Sequence, residues 1–180
     1  MQAGGGQQIA ELVVSEKGAA LRFGLCAETE TAQAAQLFSE LAALDERIFG
    51  ASAWGQENFQ KNAAQAYDHL LLCLEQDDVS EYGRVCGYAL LRAIDDAELL
   101  LIGVDEALRG QGIGRRLLSA ALELAGEKAV FLEVRAGNIP ARRLYEACGF
   151  SEIDVRKRYY KAPEEDAVLM ERKADVRVER

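Results

Sequence analysis

Three strand-like runs, His69 to Leu74, Arg84 to Ile94 and Glu98 to Val104, follow one another with only short polar links between them. Gln76-Asp77-Asp78 through Tyr82-Gly83 joins the first two runs, and Asp95-Asp96 joins the last two. Parallel neighbours need a crossover of about a dozen residues or more, so links this short require an antiparallel meander. Helical periodicity surrounds that meander. From Thr29 to Phe49, Ala34, Leu37, Phe38, Leu41, Leu44 and Ile48 recur at spacings of three and four, with Thr29 or Thr31 as the N-cap. Gly50 to Gly55 breaks this helix, and Glu57 to Ala66 reads as helical again. Gly112 to Ala125 carries Ile113, Leu117, Ala121 and Leu124 on one face, and Gly126 closes it. Val130 to Val134 reads as a strand, and Pro140 lies in the first turn of a short helix that Gly149 stops. Ser151 to Tyr160 and Ala167 to Arg172 form a last pair of strands, while Ile9 to Val14 and Ala20 to Ala27 form a hairpin or two short strands upstream. The result is one α/β or α+β domain, without internal repeat or interdomain linker.

Size and charge narrow the function. A chain of 180 residues buries roughly 70% of its unfolded surface, so it folds without disulfide or metal. The formal charge of −9 repels nucleic-acid phosphates and anionic lipid and favours cationic partners. His69 is the only histidine, which excludes a two-histidine metal site. Cys26, Cys73, Cys86 and Cys148 show no CxxC spacing and read as reduced thiols, the pattern of a cytoplasmic protein. The start, Met1-Gln2-Ala3-Gly4-Gly5-Gly6, has no basic or apolar targeting region, and fully apolar runs such as Leu99 to Ile102 are too short to span a bilayer.

The densest chemical signal is Arg109-Gly110-Gln111-Gly112-Ile113-Gly114-Arg115, between a strand and a helix. Glycines let a ligand approach the backbone, and the first N–H groups of a helix have no internal partner. With the helix dipole and flanking arginines they form an anion site. A Walker loop would end in Gly-Lys-Ser/Thr, and a dinucleotide fingerprint would place glycine at Arg115. Taken alone, the run also fits a helix start punctuated by glycine.

Arg109-Gly110-Gln111-Gly112-Ile113-Gly114 resembles the Q/R-x-x-G-x-G/A pyrophosphate loop of the GNAT N-acetyltransferases. Downstream, Leu132-Glu133-Val134-Arg135-Ala136-Gly137-Asn138, Leu144-Tyr145-Glu146-Ala147-Cys148-Gly149-Phe150, Arg158-Tyr159-Tyr160 and Glu165-Asp166-Ala167-Val168-Leu169-Met170 resemble the bacterial ribosomal-protein-alanine N-acetyltransferases, the RimI type. The resemblance runs from about Thr31 to Arg172 and implies a GNAT fold, a mixed and mostly antiparallel central sheet flanked by helices. It divides the chain into a leader with an extra strand at 1–20, an acetyltransferase domain at 21–172 and a charged tail at 173–180. It implies acetyl-CoA as co-substrate and no metal. By position, the Ile102-Gly103-Val104 backbone pairs with the pantetheine arm, Arg109 through Arg115 hold the pyrophosphate, and Asn138 bonds the arm near the thioester. Glu133 becomes the general base and Tyr145 the general acid, with Trp54, Tyr159 and Tyr160 lining the acceptor. The acceptor implied is a basic protein N-terminus, such as that of a ribosomal protein. The chain departs from the family at Ala53 and Gly55, which replace a proline and a hydroxyl residue beside Trp54, and at Gly137, where serine is usual.

Elementary chemistry fits these roles. A primary amine attacks a thioester only when neutral. An α-amine with pKa near ~7.8 has, at pH 7, a neutral fraction roughly 300–400 times that of lysine at ~10.4. A carboxylate within one water of such an amine suffices as base. Full proton transfer from a tyrosine (~10) to a thiolate (~8.5) is uphill by roughly 2 kcal/mol, so hydrogen-bonding the departing sulfur is easier than donation. Each residue also has a plainer reading. Glu133 fits a cross-strand ion pair with Arg135 or Arg143, Tyr145 a core position, and Tyr159 and Tyr160 an amphipathic edge strand. Two alternatives accompany the N-terminal acetyltransferase: an acetyltransferase for lysine or a small polyamine-type amine, and an acetyl-CoA-binding module without turnover.

Overall fold

The computed structural model of the protein describes residues 12–14, 20–25, 32–76 and 83–174. Its strands are β1 (Leu12–Val14), β2 (Ala20–Leu25), β3 (Asp68–Glu75), β4 (Arg84–Ala93), β5 (Ala97–Val104), β6 (Val130–Arg135), β7 (Ser151–Lys161) and β8 (Glu164–Arg172). The helices are α1 (Ala32–Phe49), α2 (Gly55–Ala63), α3 (Ile113–Ala125) and α4 (Ile139–Ala147). All eight strands share one sheet in the order β1-β2-β3-β4-β5-β6-β8-β7. The meander expected from the short links is present, β3 to β4 to β5, and every pairing is antiparallel except β5 with β6. That parallel pair is joined through α3, which supplies the long crossover it needs. The N-cap threonines, Cys26 and the turn around Lys17 lie outside the described residues.

Strands β3 and β4 read as apolar runs because helices cover both their faces. Residues 70–74 and 85–91 are buried almost without interruption. On one face α3 and α4 press Ile113, Leu117, Leu118, Ala121 and Tyr145 onto Leu71, Cys73, Ala89, Leu91 and Leu99. On the other, α1 and α2 press Phe38, Leu41, Leu44 and Phe59 onto Leu70, Leu72, Leu90 and Tyr88. Burying a residue of this size stabilises the fold by roughly 1.5–3 kcal/mol, so each amphipathic helix is held chiefly by its stripe.

Boundaries differ from the expectation where polar sequence hides regular structure. The segment after α1 is a single 3-10 turn, Gly50–Ser52, and α2 already starts at Gly55 and stops at Ala63 instead of Ala66. Strand β8 starts at Glu164, not Ala167, because the Glu164-Glu165-Asp166 stretch pairs with β7 on an exposed hairpin that needs no apolar alternation.

Asp45, fully buried on α1, ties three elements together. Its carboxylate accepts from the Trp54 backbone N–H at 2.6 Å and from the Tyr88 hydroxyl. The Tyr88 ring lies against β5 so closely that a Cβ at Gly103 would sit 2.7 Å from it, which is why only glycine fits there. Asp45→Ala should leave a buried hydroxyl and a backbone N–H without an acceptor and cost about 2–4 kcal/mol. Urea unfolding of the variant measures the loss, and an unchanged midpoint would refute the role.

Candidate active site

β5 and β6 pair only at Ala97↔Val130 and Glu98↔Phe131, after which their edges part. The break coincides with an irregularity two residues further along β5. Leu99 faces Leu91 and Leu101 faces Leu90, so Leu100 is an extra residue in the ladder with β4. Such a bulge bends and over-twists its strand. It also puts Leu100 and Leu101 on the α1 side together, while Leu99 packs on the α3 side. Beyond the bulge, Asp105 N–H donates to Cys86 O on β4 at 2.9 Å. Alternation therefore turns the Ile102 backbone groups and the Val104 N–H the other way, into the gap. The Val104 carbonyl accepts from Arg109 Nε at 3.3 Å.

The glycine loop closes one end of this gap. Asp105 caps the turn that leads into it, accepting from Ala107 N–H, and its carboxylate is held by Arg84 at 2.8 Å and Arg47 at 3.5 Å. The Arg84 guanidinium keeps the Asp105 carboxyl below its ordinary range. Gly112 is the N-cap of α3 at φ +79°, a conformation L side chains rarely adopt. No atom lies within 4 Å of the place a Cβ would take there or at Gly110. The first backbone bond of α3 runs from Arg116 N–H to Gly112 O, so the N–H groups of Ile113, Gly114 and Arg115 precede the helical ladder. Gly114 lies beside Leu144 of α4, Gln111 is half-buried, and Arg109 and Arg115 are exposed. Open glycine backbone, unpaired N–H groups, a helix dipole and exposed arginines fit a pyrophosphate, and the free β5 edge fits an extended amide-bearing arm.

On the far side of the gap, strand alternation puts Glu133 and Arg135 of β6 on the face opposite Leu132 and Val134, which are buried under α3 and α4. Glu133 pairs with Arg156 of β7, not with Arg135 or Arg143. Arg135 instead binds Glu165 at 3.2 Å and lies over the Tyr160 ring at 4.1 Å. Arg156 lies 5.5 Å from the Tyr159 ring centroid. The Tyr159 phenol is pushed up because its hydroxyl donates to the Glu133 carboxylate, and Arg156 opposes this only in part. Tyr160, next to Tyr159 in an edge-to-face pair at 5.3 Å, is pushed up by burial and then by Glu133. Tyr145 is buried on α4 with its ring 5.9 Å from Phe150. Burial pushes its phenol up, and Tyr160 adds to that, so its hydroxyl keeps its proton.

Glu133, Tyr159 and Tyr160 thus share one neighbourhood, while Tyr145 lies on the α4 side of the sheet, near enough to Tyr160 for the two phenols to affect each other. Asn138 stands at its rim as the N-cap of α4, with its side-chain oxygen taken by Ala141 N–H at 3.3 Å and its amide nitrogen left over as a donor. Trp54 is held elsewhere: it begins α2, with its ring 6.1 Å from Phe59 against the α1 and α2 core. Arg156 and Asp45 were not singled out from sequence, since each acts through a partner distant along the chain.

A family model described as the acetyltransferase (GNAT) family matches residues 35–150. The N-alpha-acetyltransferase RimI of Mycobacterium tuberculosis is 34% identical over 73% of this chain and 83% of its own length. The [ribosomal protein bS18]-alanine N-acetyltransferase of Escherichia coli K12 is also 34% identical, over 65% of this chain and 78% of its own. A Mycobacterium leprae protein without an assigned function is 37% identical over 74% of this chain, which spans 37% of that protein's length. Among solved structures, the ribosomal-protein-S18-alanine N-acetyltransferase from Escherichia coli superposes with a TM-score of 0.69, covering 88% of this chain and 99% of that one at 23% identity. The chain belongs to the acetyltransferase (GNAT) family and is an N-acetyltransferase. Its relatives place it with the RimI-like branch.

The Glu133 cluster makes a direct forecast. Glu133→Gln removes the anionic acceptor that holds the Tyr159 proton, so the Tyr159 phenol should titrate at lower pH than in the parent. Ultraviolet titration, with Tyr159→Phe identifying the contribution, reads this directly. A Tyr159 transition left in place would show that the two groups do not interact.

Proposed function

We propose that the protein transfers acetyl from acetyl-CoA to the α-amine of a protein N-terminus, of the kind a ribosomal protein beginning with alanine presents, by direct attack in a ternary complex. The observation that carries this reading is the parting of β5 from β6, with the open glycine loop at one end and Glu133 carried on β6, the strand across the gap. The names of the relatives at 34% identity support the acceptor class. In this reading acetyl-CoA supplies an activated thioester carbonyl. Residues Ile102, Gly103 and Val104 bind the arm as an added strand, and Gly110 to Arg115, with Arg109, hold the pyrophosphate. The Val104 N–H donates to the carbonyl oxygen, where negative charge grows during attack. Asn138 offers its amide nitrogen to the arm.

Glu133 takes one proton from the ammonium form through a water and leaves the neutral amine that attacks. The α-amine needs little help, being neutral roughly 300–400 times more often than lysine at pH 7. Tyr145 steadies the departing sulfur. A phenol pushed up by burial is a still poorer proton donor, so its part is a hydrogen bond, and the proton reaches the sulfur from the amine. Tyr159 and Tyr160 form one wall for the acceptor, and Trp54 supports the opposite side through the α1–α2 segment. Charge complements this acceptor, since a chain at −9 draws a basic, unstructured N-terminus and raises its encounter rate.

Two measurements test the reading. Tyr145→Phe keeps the ring packed on Phe150 and removes only the hydroxyl, so kcat should fall by roughly 10²-fold with little change in acetyl-CoA binding. Full activity would make Tyr145 a core residue. Mass spectrometry after incubation with acetyl-CoA should find an Ala-initiated, arginine-containing peptide acetylated at its α-amine. Its kcat/KM should drop as salt screens the attraction over roughly 8 Å. An N-blocked lysine peptide should be far poorer. Equal rates on the blocked peptide would favour the lysine or polyamine acceptor instead.

A further inference from the structure

The acceptor wall hangs on an irregularity in β7. Arg156 faces Ala167 and Tyr160 faces Glu165, so Lys157, Arg158 and Tyr159 all stand opposite the single residue Asp166. Two residues are therefore extra. At about 3.3 Å per residue, they set Tyr160 back by roughly 6–7 Å along the strand. Without them Arg158 would face Glu165, and the stack of Tyr160 under Arg135 beside Glu133 could not form. Because the excess is two, alternation survives, and Arg156, Tyr160 and Glu133 stay on one face of the sheet.

Such a bulge is not free. Arg158 sits at φ +50°, the one described residue other than glycine with positive φ, a conformation that costs about 1 kcal/mol or more. What compensates is Asp166. Its Oδ1 accepts from the Arg158 backbone N–H at 2.8 Å and its Oδ2 from Lys157 Nζ at 2.8 Å. Its own carbonyl accepts from Ala136 N–H at 3.0 Å, at the start of the segment that leads from β6 to α4. One short side chain thus replaces the ladder bonds that the bulge has broken, and the backbone behind it is anchored between the strand of Glu133 and the helix of Tyr145.

We infer that Asp166 is a positioning residue for the acceptor: it holds the β7 bulge in the shape that aims Tyr159 and Tyr160 at Glu133 and so sets the affinity for the incoming N-terminus. The inference rests on the N-terminal acetyltransferase reading for what the wall receives. It does not rest on that reading for what Asp166 holds. Two substitutions separate its functions. Asp166→Asn keeps an oxygen for the Arg158 N–H and loses the ion pair with Lys157, which is exposed and worth little. Asp166→Ala loses both.

With the Ala-initiated peptide, Asp166→Ala should raise the peptide KM by roughly five- to tenfold while kcat stays within about twofold, since neither Glu133 nor Tyr145 is touched. Asp166→Asn should restore most of the affinity. Calorimetric affinity for acetyl-CoA should be the same in all three proteins. Amide hydrogen exchange at Arg158 should be faster in Asp166→Ala than in the parent and the asparagine variant, whether or not a peptide is turned over. An unchanged peptide KM in the alanine variant, or an asparagine variant as impaired as the alanine one, would overturn the inference. A parent enzyme that acetylates no α-amine would overturn the N-terminal reading and the acceptor role with it, while unaltered exchange at Arg158 would overturn the pin itself.

Discussion

Backbone N–H and carbonyl groups in a sheet demand partners, and the middle of this sheet withholds them. After two rungs β5 and β6 part, and an extra residue at Leu100 bends β5 away. Everything around the gap accommodates that. The glycine loop opens at one end, α3 begins beside it with its first N–H groups ahead of the helical ladder, and Glu133 stands on β6, the strand across the gap. A sheet closed here would satisfy its backbone and have nowhere to put an extended ligand. An open one leaves a strand edge of the shape that an amide-bearing arm can extend.

The two sides of the gap are held by different means. On the α1 side the support is buried: Asp45 joins Trp54 to Tyr88, and the Tyr88 ring bears directly on Gly103. With no Cβ at Gly103 the β5 edge stays close to the core. On the β7 side the support is exposed and polar, a hairpin whose strained bulge is filled by Asp166 and whose arginines stack on tyrosines. In the proposed reading, a closely packed cofactor strand beside an exposed acceptor wall suits a reaction in which one substrate is constant and the other is a chain end.

Charge operates at two ranges here. The net −9 acts over the Debye length and steers cations toward the molecule. At the wall itself the guanidinium groups of Arg156 and Arg135 are paired with Glu133 and Glu165, so close contacts there are set by hydrogen bonding and ring faces. In the proposed reading, an arriving ammonium meets a carboxylate already engaged by Arg156 and Tyr159 and has to compete for it.

The sequence by itself determined the elements whose cause is local. Short links made β3, β4 and β5 a meander, apolar spacing made α1 and α3, and the glycines marked the loop before α3. Alternation on β6 sent Glu133 away from its neighbours, and resemblance to a known family assembled these parts into one fold. Tertiary structure alone decided what depends on partners far along the chain. Leu99-Leu100-Leu101 is uniformly apolar, so nothing in it marks the bulge that parts β5 from β6. Glu133 has arginines at hand in Arg135 and Arg143, yet it takes Arg156, because the β7 register brings that residue alongside. Arg156 to Tyr160 carries no apolar alternation, so the count of residues opposite Asp166 cannot be read from it. Periodicity is a property of neighbours in the chain and survives in the sequence. Register is a property of two surfaces fitted together, and it exists only once they have met.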